Sequence, residues 1–281
     1  MQIGQQIQRL RKQQGLTQAA FAQRLFVTPQ AVSQWERGVT VPDTEKLSDI
    51  ASTLNTTVNA LTGDGASNSW VFADALFSPE RMYSRLVSFA QIEKLPQTYA
   101  ALPYMKEKHQ GQVRKPAFYS RQPVPYIIHP LMMACHAHAL GIREDEILAA
   151  ILLHDTCEDC GVAPEQLPFC EPVKAAVARL TFRQGAAESA AEAKRRYYEG
   201  IAADRIATMV KVLDRCNNIS TMAGAFSQGN IIEYIDETET YVLPLLEKAK
   251  YSVPEYADAL FVIKYHMRSV LESIKAMAAR Q

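Results

Sequence analysis

The segment LAAILLHD, residues 148–155, joins an apolar run to a histidine and an aspartate. Charge at the end of such a run is costly unless it is paired or bound to a metal. His129 and Asp214 stand in similar apolar, helical surroundings. Two imidazoles and two carboxylates make a mixed nitrogen and oxygen site for a divalent ion, with positions left open for water and substrate. The sequence therefore predicts a metal site formed by His129, His154, Asp155 and Asp214.

Two polar side chains follow these residues at helical spacing. Glu158 comes four residues after His154, and Asn218 comes four residues after Asp214. Residues at this spacing share a helix face, so we expect both side chains beside the metal. No histidine lies between Asp155 and Asp214. A second metal would need further ligands in that interval, so the sequence favours a single ion.

Four segments of the chain form an ordered set. They are residues 109–115 (HQGQVRK), 125–130 (PYIIHP), 153–159 (LHDTCED) and 210–218 (VKVLDRCNN). The set resembles the signature segments of the HD hydrolase domain of the RelA/SpoT family, over roughly residues 89–222. The resemblance implies an all-helical enzyme that binds one Mn²⁺ per chain. It would remove the 3′ pyrophosphate from guanosine tetraphosphate or pentaphosphate.

The same resemblance implies a role for each motif residue. The metal ligands would be His129, His154, Asp155 and Asp214. The residues acting on the water and the phosphate would be Glu158, Asp159 and Asn218. Arg114 and Lys115 would face the nucleotide. Lys211 and Arg215 have two open interpretations: they neutralise charge on the phosphoryl oxygens, or they form ion pairs with the motif's own carboxylates.

Two features depart from the family pattern. The loop 116–124 is longer than the short turn usual there. Because it lies beside the expected nucleotide pocket, the identity of the nucleotide stays open; Arg121 within it is expected to be solvated. Residues 219–281, which follow the last motif, are too few for the synthetase domain that bifunctional relatives carry. We therefore expect a hydrolase without synthetase activity.

The N-terminal residues predict a series of short helices. Residues 3–14 have apolar side chains at helical period and end at Gly15, a typical residue after a helix C-terminus. Thr17 is a suitable cap for a second helix, and Thr28, followed by Pro29, for a third. Further helices are expected at 44–54 and near 58–61. Two helices joined by the tight turn 25–27 form a helix-turn-helix motif.

The segments GLTQ (15–18) and AVSQWERG (31–38) resemble the Cro/CI (XRE) repressor family. In such a module the third helix lies in the major groove of DNA. The expected DNA contacts, to base edges and to phosphates, are Gln18, Thr28, Gln30, Ser33, Gln34 and Arg37. Residues 1–38 contain five Lys and Arg residues against one Glu, a net charge of 5 − 1 = +4 in a chain of net charge +0. Positive charge is thus concentrated where nucleic acid would bind. A protein-contact role for this bundle is the alternative.

These patterns predict an all-α protein of two domains. We expect a five-helix DNA-binding domain at residues 1–65, a linker at 66–78 and an HD domain at 79–281. The small, polar composition of residues 62–69 marks the junction, and Ser78 with Pro79 is expected to open the next helix. Two amphipathic helices are predicted at 231–249 and 255–278. Their aromatic residues are expected in the core: Tyr234, Tyr241, Tyr256, Phe261 and Tyr265.

Composition limits the classes of protein further. The first residues are too polar for a signal peptide, and no apolar run reaches the length of a membrane span. Five cysteines lack the spacing of a disulfide framework or a zinc finger as a set. A cytoplasmic protein is therefore expected.

Three functions compete at this stage. The first is a metal-dependent guanosine polyphosphate hydrolase joined to a sequence-specific DNA-binding domain. The second is a transcription regulator whose HD domain senses a nucleotide without turnover. The third is a phosphohydrolase of another nucleotide, such as NADPH or a nucleoside phosphate. In each case a homodimer is expected, because Cro/CI modules read palindromic DNA in pairs.

Overall fold

A computed structural model of the chain describes residues 3–54, 56, 58, 61, 77–114, 124–222 and 228–278. The all-α prediction is confirmed: almost every element is a helix. The chain divides into two compact units, Met1–Ser69 and Trp70–Gln281. Nearly all of the predicted linker 66–78 and most of the loop 116–124 lie outside the described residues. Within the described ranges no helix combines the length and apolar character needed to span a membrane.

The first unit contains the predicted helix-turn-helix. Its helices are α1 (Ile3–Gln13), α2 (Gln18–Arg24), α3 (Pro29–Glu36) and α4 (Thr44–Thr53). The Thr17 and Thr28 side chains accept the cap hydrogen bonds of α2 and α3, as predicted. Gly15 follows α1 with φ of +66°, a conformation that glycine adopts without strain. Of the predicted fifth helix, only Val58 and Leu61 lie among the described residues.

Helices α1 and α3 pack very closely, and a glycine makes this possible. A Cβ atom on Gly4 would lie 2.0 Å from the Trp35 carbonyl oxygen, so no larger residue fits without moving a backbone. Nearby, the Arg11 guanidinium contacts the Glu36 carboxylate at 2.6 Å. Both side chains are buried. The pair fixes the first helix against the helix that would face DNA.

The second unit is built around a helix, Asp145–Leu153, that is apolar after its first two residues. Its elements in chain order are α5 (Pro79–Ile92), α6 (Pro96–Lys108), β1 (Val113–Arg114), β2 (Val124–Pro125), α7 (Ile128–Ala139), α8 (Asp145–Leu153), α9 (Thr156–Asp159), α10 (Glu171–Leu180), α11 (Ala190–Ala202), α12 (Arg205–Met222), α13 (Gln228–Glu237), α14 (Leu243–Ser252) and α15 (Ala257–Ala278). Every residue of α8 from Ile147 to Leu153 is buried. Helix α8 contacts α6, α7, α10 and α12, which explains why its sequence lacks a polar face.

The C-terminal helices differ from the prediction in two ways. The predicted helix 231–249 is α13 and α14 joined by a π-helical turn, Thr238–Val242. Pro244 causes such a break, because it has no N–H to donate to the preceding turn. The prediction that Phe261 and Tyr265 are core residues was wrong, since they are 70% and 69% exposed. Their positions lie opposite the buried seam of α15, whereas the three other aromatic residues are partly buried, as predicted: Tyr234, Tyr241 and Tyr256.

A short antiparallel ladder was not expected from the sequence, which shows no strand pattern. Strands β1 and β2 pair Val113 with Pro125 and Arg114 with Val124. Two-residue strands are too short to give an alternating pattern, so no periodicity could reveal them. The ladder closes the loop between the first and second motif segments. It thereby holds Arg114 and Tyr126 close to the start of α7.

Candidate functional site

Four predicted metal ligands converge in the second unit. His129 lies in the first turn of α7, His154 and Asp155 directly follow α8, and Asp214 lies within α12. Asp214 Oδ1 is 3.2 Å from His129 Nε2 and 3.9 Å from His154 Nε2. His154 Nε2 is in turn 2.9 Å from Asp155 Oδ2. One potential ligand atom each from His129, His154 and Asp155 lies within 4.8 Å of the others, so this group can hold a metal ion.

Both imidazoles are oriented by a hydrogen bond on the far side of the ring. His154 Nδ1 donates to the Ile151 carbonyl oxygen at 2.8 Å. His129 Nδ1 donates to Asn217 Oδ1, also at 2.8 Å. Each bond leaves the Nε2 lone pair directed into the cluster, which is how outer hydrogen bonds prepare a histidine for a metal. Both rings are buried, so neither lone pair can turn to bulk water.

One buried atom indicates that a cation belongs at this point. Among the described residues, His154 Nε2 has no hydrogen-bond partner, although Asp155 Oδ2 is only 2.9 Å away. Neighbouring ligands of an octahedral ion with bonds of about 2.1 Å lie about 3 Å apart. The close approach is therefore the distance expected between two ligands of one ion. A mixed set of imidazole and carboxylate groups also suits a divalent transition metal.

The electrostatics of the cluster agree with this assignment. Burial would raise the pKa of the Asp214 carboxyl, but Lys211 and the two histidines hold it well below its ordinary value. Burial lowers the pKa of His129, which keeps its lone pair available. Burial would also lower the pKa of His154, yet the Asp155 and Asp214 carboxylates raise it to about 9. The raised pKa of His154 shows that the two carboxylates favour a positive charge at this ring, where a metal ion would take the place of the proton.

Lys211 and Arg215 take different positions on α12. Lys211 Nζ lies 3.1 Å from Asp214 Oδ2, as the ion-pair interpretation expected, and 14% of its side chain is exposed. Burial would lower the pKa of Lys211, but the adjacent carboxylate raises it well above its ordinary value. Arg215 instead pairs with Glu237 and contacts the Tyr198 hydroxyl. Of the two interpretations left open for Arg215, an ion pair with a motif carboxylate is therefore excluded, because its side chain leaves the other side of the helix.

Asn218 and Arg114 continue the polar chain outward. Asn218 Nδ2 donates to Asp214 Oδ1 at 2.6 Å, so these two residues share a helix face, as predicted. The Arg114 guanidinium donates to Asn218 Oδ1 at 2.9 Å. Lys115, the other residue predicted to face the nucleotide, lies outside the described residues.

Glu158 does not share a helix with His154, contrary to the prediction. Helix α8 ends at Leu153, the backbone turns, and Glu158 lies in the separate four-residue helix α9. Its Oε2 accepts a hydrogen bond from the Phe182 N–H at 3.1 Å. Asp159, next to it, is exposed, and its carbonyl oxygen accepts from Gln112 Nε2 at 3.3 Å. The turn aims Glu158 at the rim of the cluster.

A cavity of about 290 Å³ opens beside the candidate ligands. Its wall combines the cluster with two lysines and several aromatic rings. The lining residues are His154, Asp155, Glu158, Leu180, Phe182, Lys194, Tyr197, Tyr198, Lys211, Asp214 and Glu237. A space of this size next to a cation site can receive a phosphate and part of a nucleoside.

Two residues near the cluster were missed by sequence reasoning. Asn217 orients His129, and the Tyr126 hydroxyl donates to Asp155 Oδ2. The Tyr126 ring also stacks on His109, with 4.6 Å between the ring centroids. Both residues lie inside the quoted motif segments, three positions from a predicted ligand. For Asn217, which shares α12 with Asp214, this helical spacing was the available signal, whereas Tyr126 lies in the turn before α7 and had none.

The predicted DNA contacts occupy one part of the first unit. Gln30, Gln34 and Arg37 are exposed, and Ser33 is half-buried on the same helix. Thr28 caps α3. The Gln18 amide donates to Glu36 Oε2 at 2.8 Å, so its side chain supports α3 as well as lying at the start of α2.

The local charge of this unit remains positive at its surface. The buried ion pair between Arg11 and Glu36 cancels internally. The other cations among residues 3–38 are exposed, and they are Arg9, Lys12, Arg24 and Arg37. The net charge of +4 therefore lies entirely on exposed side chains.

Comparisons with known proteins agree with the two resemblances. Residues 7–61 match the helix-turn-helix family model. Over 127 residues, 43% of this chain, the sequence is 35% identical to the guanosine-3′,5′-bis(diphosphate) 3′-pyrophosphohydrolase of Aquifex aeolicus (strain VF5). Over 121 residues, 41% of this chain, it is 36% identical to a probable GTP pyrophosphokinase of Mycobacterium leprae (strain TN). The chain spans only 17% and 14% of those two relatives.

A solved structure is also similar in part. It is described as a metazoan ortholog of SpoT that hydrolyses ppGpp and plays a role in starvation responses. The match covers 63% of this chain and 94% of that chain, with 20% identity and a TM-score of 0.49. Together, the family match and the relatives confirm the predicted similarity to a helix-turn-helix module and to enzymes of guanosine polyphosphates.

Proposed function

We propose that the second unit is an Mn²⁺-dependent hydrolase that removes the 3′ pyrophosphate of guanosine 3′,5′-bis(diphosphate). The observation that carries this proposal is the convergence of His129, His154, Asp155 and Asp214, with both Nε2 atoms directed at one point. The similarity to a pyrophosphohydrolase over 127 residues supports the choice of substrate.

The proposed mechanism assigns separate tasks to the side chains. His129, His154, Asp155 and Asp214 would hold the metal, which lowers the pKa of a bound water when present. Glu158, at the rim of the cavity, would accept the proton of the attacking water. Arg114 and Asn218 form a hydrogen-bonded pair that would position the phosphoryl oxygens. Lys211 would keep Asp214 ionised through its ion pair.

We further propose that the first unit binds double-stranded DNA as part of a homodimer. The exposed residues of α3 and the four exposed cations support this role. Gln30 and Gln34 would contact base edges, because an amide side chain can pair with adenine through two hydrogen bonds. Thr28, Ser33, Arg37 and Gln18 would position the helix, through capping or phosphate contacts.

A nucleotide panel tests the enzymatic proposal. Purified full-length protein with Mn²⁺ is incubated with guanosine tetraphosphate, GTP and NADPH, and the products are identified by ion-exchange chromatography. We expect GDP and pyrophosphate from the tetraphosphate, and no product with the His154→Ala variant. If NADPH releases phosphate and the tetraphosphate gives no product, NADPH is the substrate instead of the tetraphosphate. Binding of the tetraphosphate without product would instead support a nucleotide sensor.

A further inference from the structure

One face of the last helix is apolar and exposed. Phe261 is 70% exposed, Val262 45% and Tyr265 69%. The opposite face of α15 is buried against the unit through Ile263 and Met267. An aromatic pair one helical turn apart, directed at solvent, resembles the central residues of a protein interface.

Two opposite charges flank this aromatic pair. Asp258 lies one turn before Phe261, and Arg268 lies one turn after Tyr265. Ten residues of helix place the two charges about 15 Å apart, so they cannot pair with each other within one helix. In the part of the chain that the structure describes, the side chains of Asp258 and Arg268 form no ion pair or hydrogen bond.

The two aromatic and two charged residues of this face form a self-complementary pattern when two such helices lie antiparallel. We propose that a second copy of this chain docks on this face, with the two α15 helices antiparallel about a twofold axis at the level of Ile263. Phe261 of each copy then meets Tyr265 of the other, and Asp258 of each copy meets Arg268 of the other. A twofold interface makes each contact twice, so four residues give two aromatic pairs and two ion pairs.

The charges favour antiparallel pairing of two copies over parallel pairing. A parallel pairing of two copies would set Asp258 against Asp258 and Arg268 against Arg268, which is unfavourable. An antiparallel pairing turns both repulsions into attractions. This face would be the interface of the homodimer proposed above. A role of the interface in DNA binding rests on the proposed function, whereas the pairing of two copies does not.

The first test measures association of the full-length protein by sedimentation equilibrium over a concentration series. We expect a reversible dimer, weakened at least tenfold in the Phe261→Ser/Tyr265→Ser variant. The matched control is Tyr251→Ser, because Tyr251 is 79% exposed but belongs to α14 and not to α15. Circular dichroism establishes that each variant is folded. A wild type that stays monomeric, or a double variant that dimerises normally, would overturn the inference.

The second test uses charge reversal. Asp258→Arg alone gives two pairs of facing arginines, and Arg268→Asp alone gives two pairs of facing aspartates, so each should be mainly monomeric. An equimolar mixture of the two variants should form a heterodimer, because every facing pair then has opposite charges. A mixture as monomeric as its components would refute the antiparallel register. Hydrolysis by each variant, measured in parallel, tests the proposed enzyme separately, since no residue of this face lines the cavity.

Discussion

At the scale of single residues, Asn217 connects two candidate ligands, because it lies on the helix of Asp214 and forms a hydrogen bond with His129. It lies three residues after Asp214 on α12 and accepts the His129 Nδ1 proton. Its own amide nitrogen approaches the Met132 sulfur at 3.8 Å, which leaves the oxygen facing the imidazole. The residue thus fixes which nitrogen of His129 is available to a metal. Outer hydrogen bonds of this type commonly change metal affinity by about 10- to 100-fold.

The Asn217→Leu variant should therefore bind Mn²⁺ about 10- to 100-fold more weakly, while keeping its volume and fold. Isothermal titration calorimetry of the metal alone measures this, without reference to any substrate. Asn217→Asp is the matched control, because its carboxylate still accepts from His129. Equal loss of affinity in both variants would show that packing, and not the hydrogen bond, is responsible.

Lys211 stabilises the charge of Asp214 from the wall of the cavity. Removing one partner of a buried ion pair leaves an uncompensated charge and costs about 3–5 kcal/mol. Lys211→Met should lower the free energy of unfolding by about that amount without divalent metal, and by less when saturating Mn²⁺ replaces the lost positive charge. Urea denaturation with and without Mn²⁺ measures the difference. A loss that is the same in both conditions would contradict a shared role of lysine and metal.

A substitution of Glu158 should affect catalysis without affecting metal binding. The Glu158→Gln change keeps an oxygen to accept the Phe182 N–H bond but removes the basic carboxylate. We expect unchanged Mn²⁺ affinity and a kcat about 10²- to 10⁴-fold lower on the tetraphosphate. Glu165→Gln, on the segment Pro164–Gln166 outside the cavity lining, is the control. Hydrolysis at the wild-type rate would exclude Glu158 as the base.

At the scale of elements, the pair of Arg11 and Glu36 determines how α1 rests on α3. Both side chains are buried, whereas the Lys46–Asp49 pair of α4 is exposed. Glu36→Ala should destabilise the first unit by about 3–5 kcal/mol, and Asp49→Ala by about 0.5 kcal/mol or less. Denaturation of the full chain carrying Trp70→Phe, followed by Trp35 fluorescence, reports on this unit. Similar losses in both variants would mean that burial of the pair is unimportant.

The same pair gives the unit a predictable response to acid. Burial would raise the pKa of Glu36, but hydrogen bonds from Arg11 and Gln18 hold it below its ordinary value. A carboxylate with a depressed pKa stabilises the folded state fully above its unfolded pKa, about 4.3. The contribution is lost as the pH falls through the lower, folded value. The stability difference between wild type and Glu36→Ala should therefore be constant at neutral pH and shrink below about pH 4.3.

At the scale of the whole molecule, a ligand on one unit can change binding at the other by shifting the population of a state that both ligands prefer. The proposed dimer would be such a state, because a dimer carries two copies of the first unit. A nucleotide that favours the dimer must raise the affinity for DNA by the same coupling free energy. DNA binding would then depend on the nucleotide that we propose as the substrate of the second unit.

Saturating the Glu158→Gln variant with a non-hydrolysable guanosine tetraphosphate analogue should therefore change its affinity for a selected duplex. Fluorescence anisotropy at fixed salt measures the shift, and a tenfold change corresponds to about 1.4 kcal/mol of coupling. The Phe261→Ser/Tyr265→Ser change in the same background should abolish the shift. Identical affinities with and without the analogue would mean that the units act independently.

Much of the candidate site could be predicted from local patterns. The helix boundaries near Thr17, Thr28 and Ser78 follow from capping chemistry, which depends only on neighbouring residues. The convergence of His129, His154 and Asp214 was expected because charged groups in apolar helices need partners. The predicted helix shared by His154 and Glu158 was wrong, because a helix can end between two residues four positions apart without any signal in the sequence.

By itself, the sequence determined the helical class, the helix-turn-helix and the residues that meet at the candidate metal centre, since periodicity and capping are local properties. Only the tertiary structure decided which nitrogen each histidine directs inward, that Lys211 pairs with Asp214 while Arg215 turns to Glu237, and that Phe261 and Tyr265 face outward. The physical reason is that these outcomes depend on which helix packs against which. Hydrophobic period indicates that a side chain prefers burial, but the neighbouring elements decide whether a partner exists to bury it.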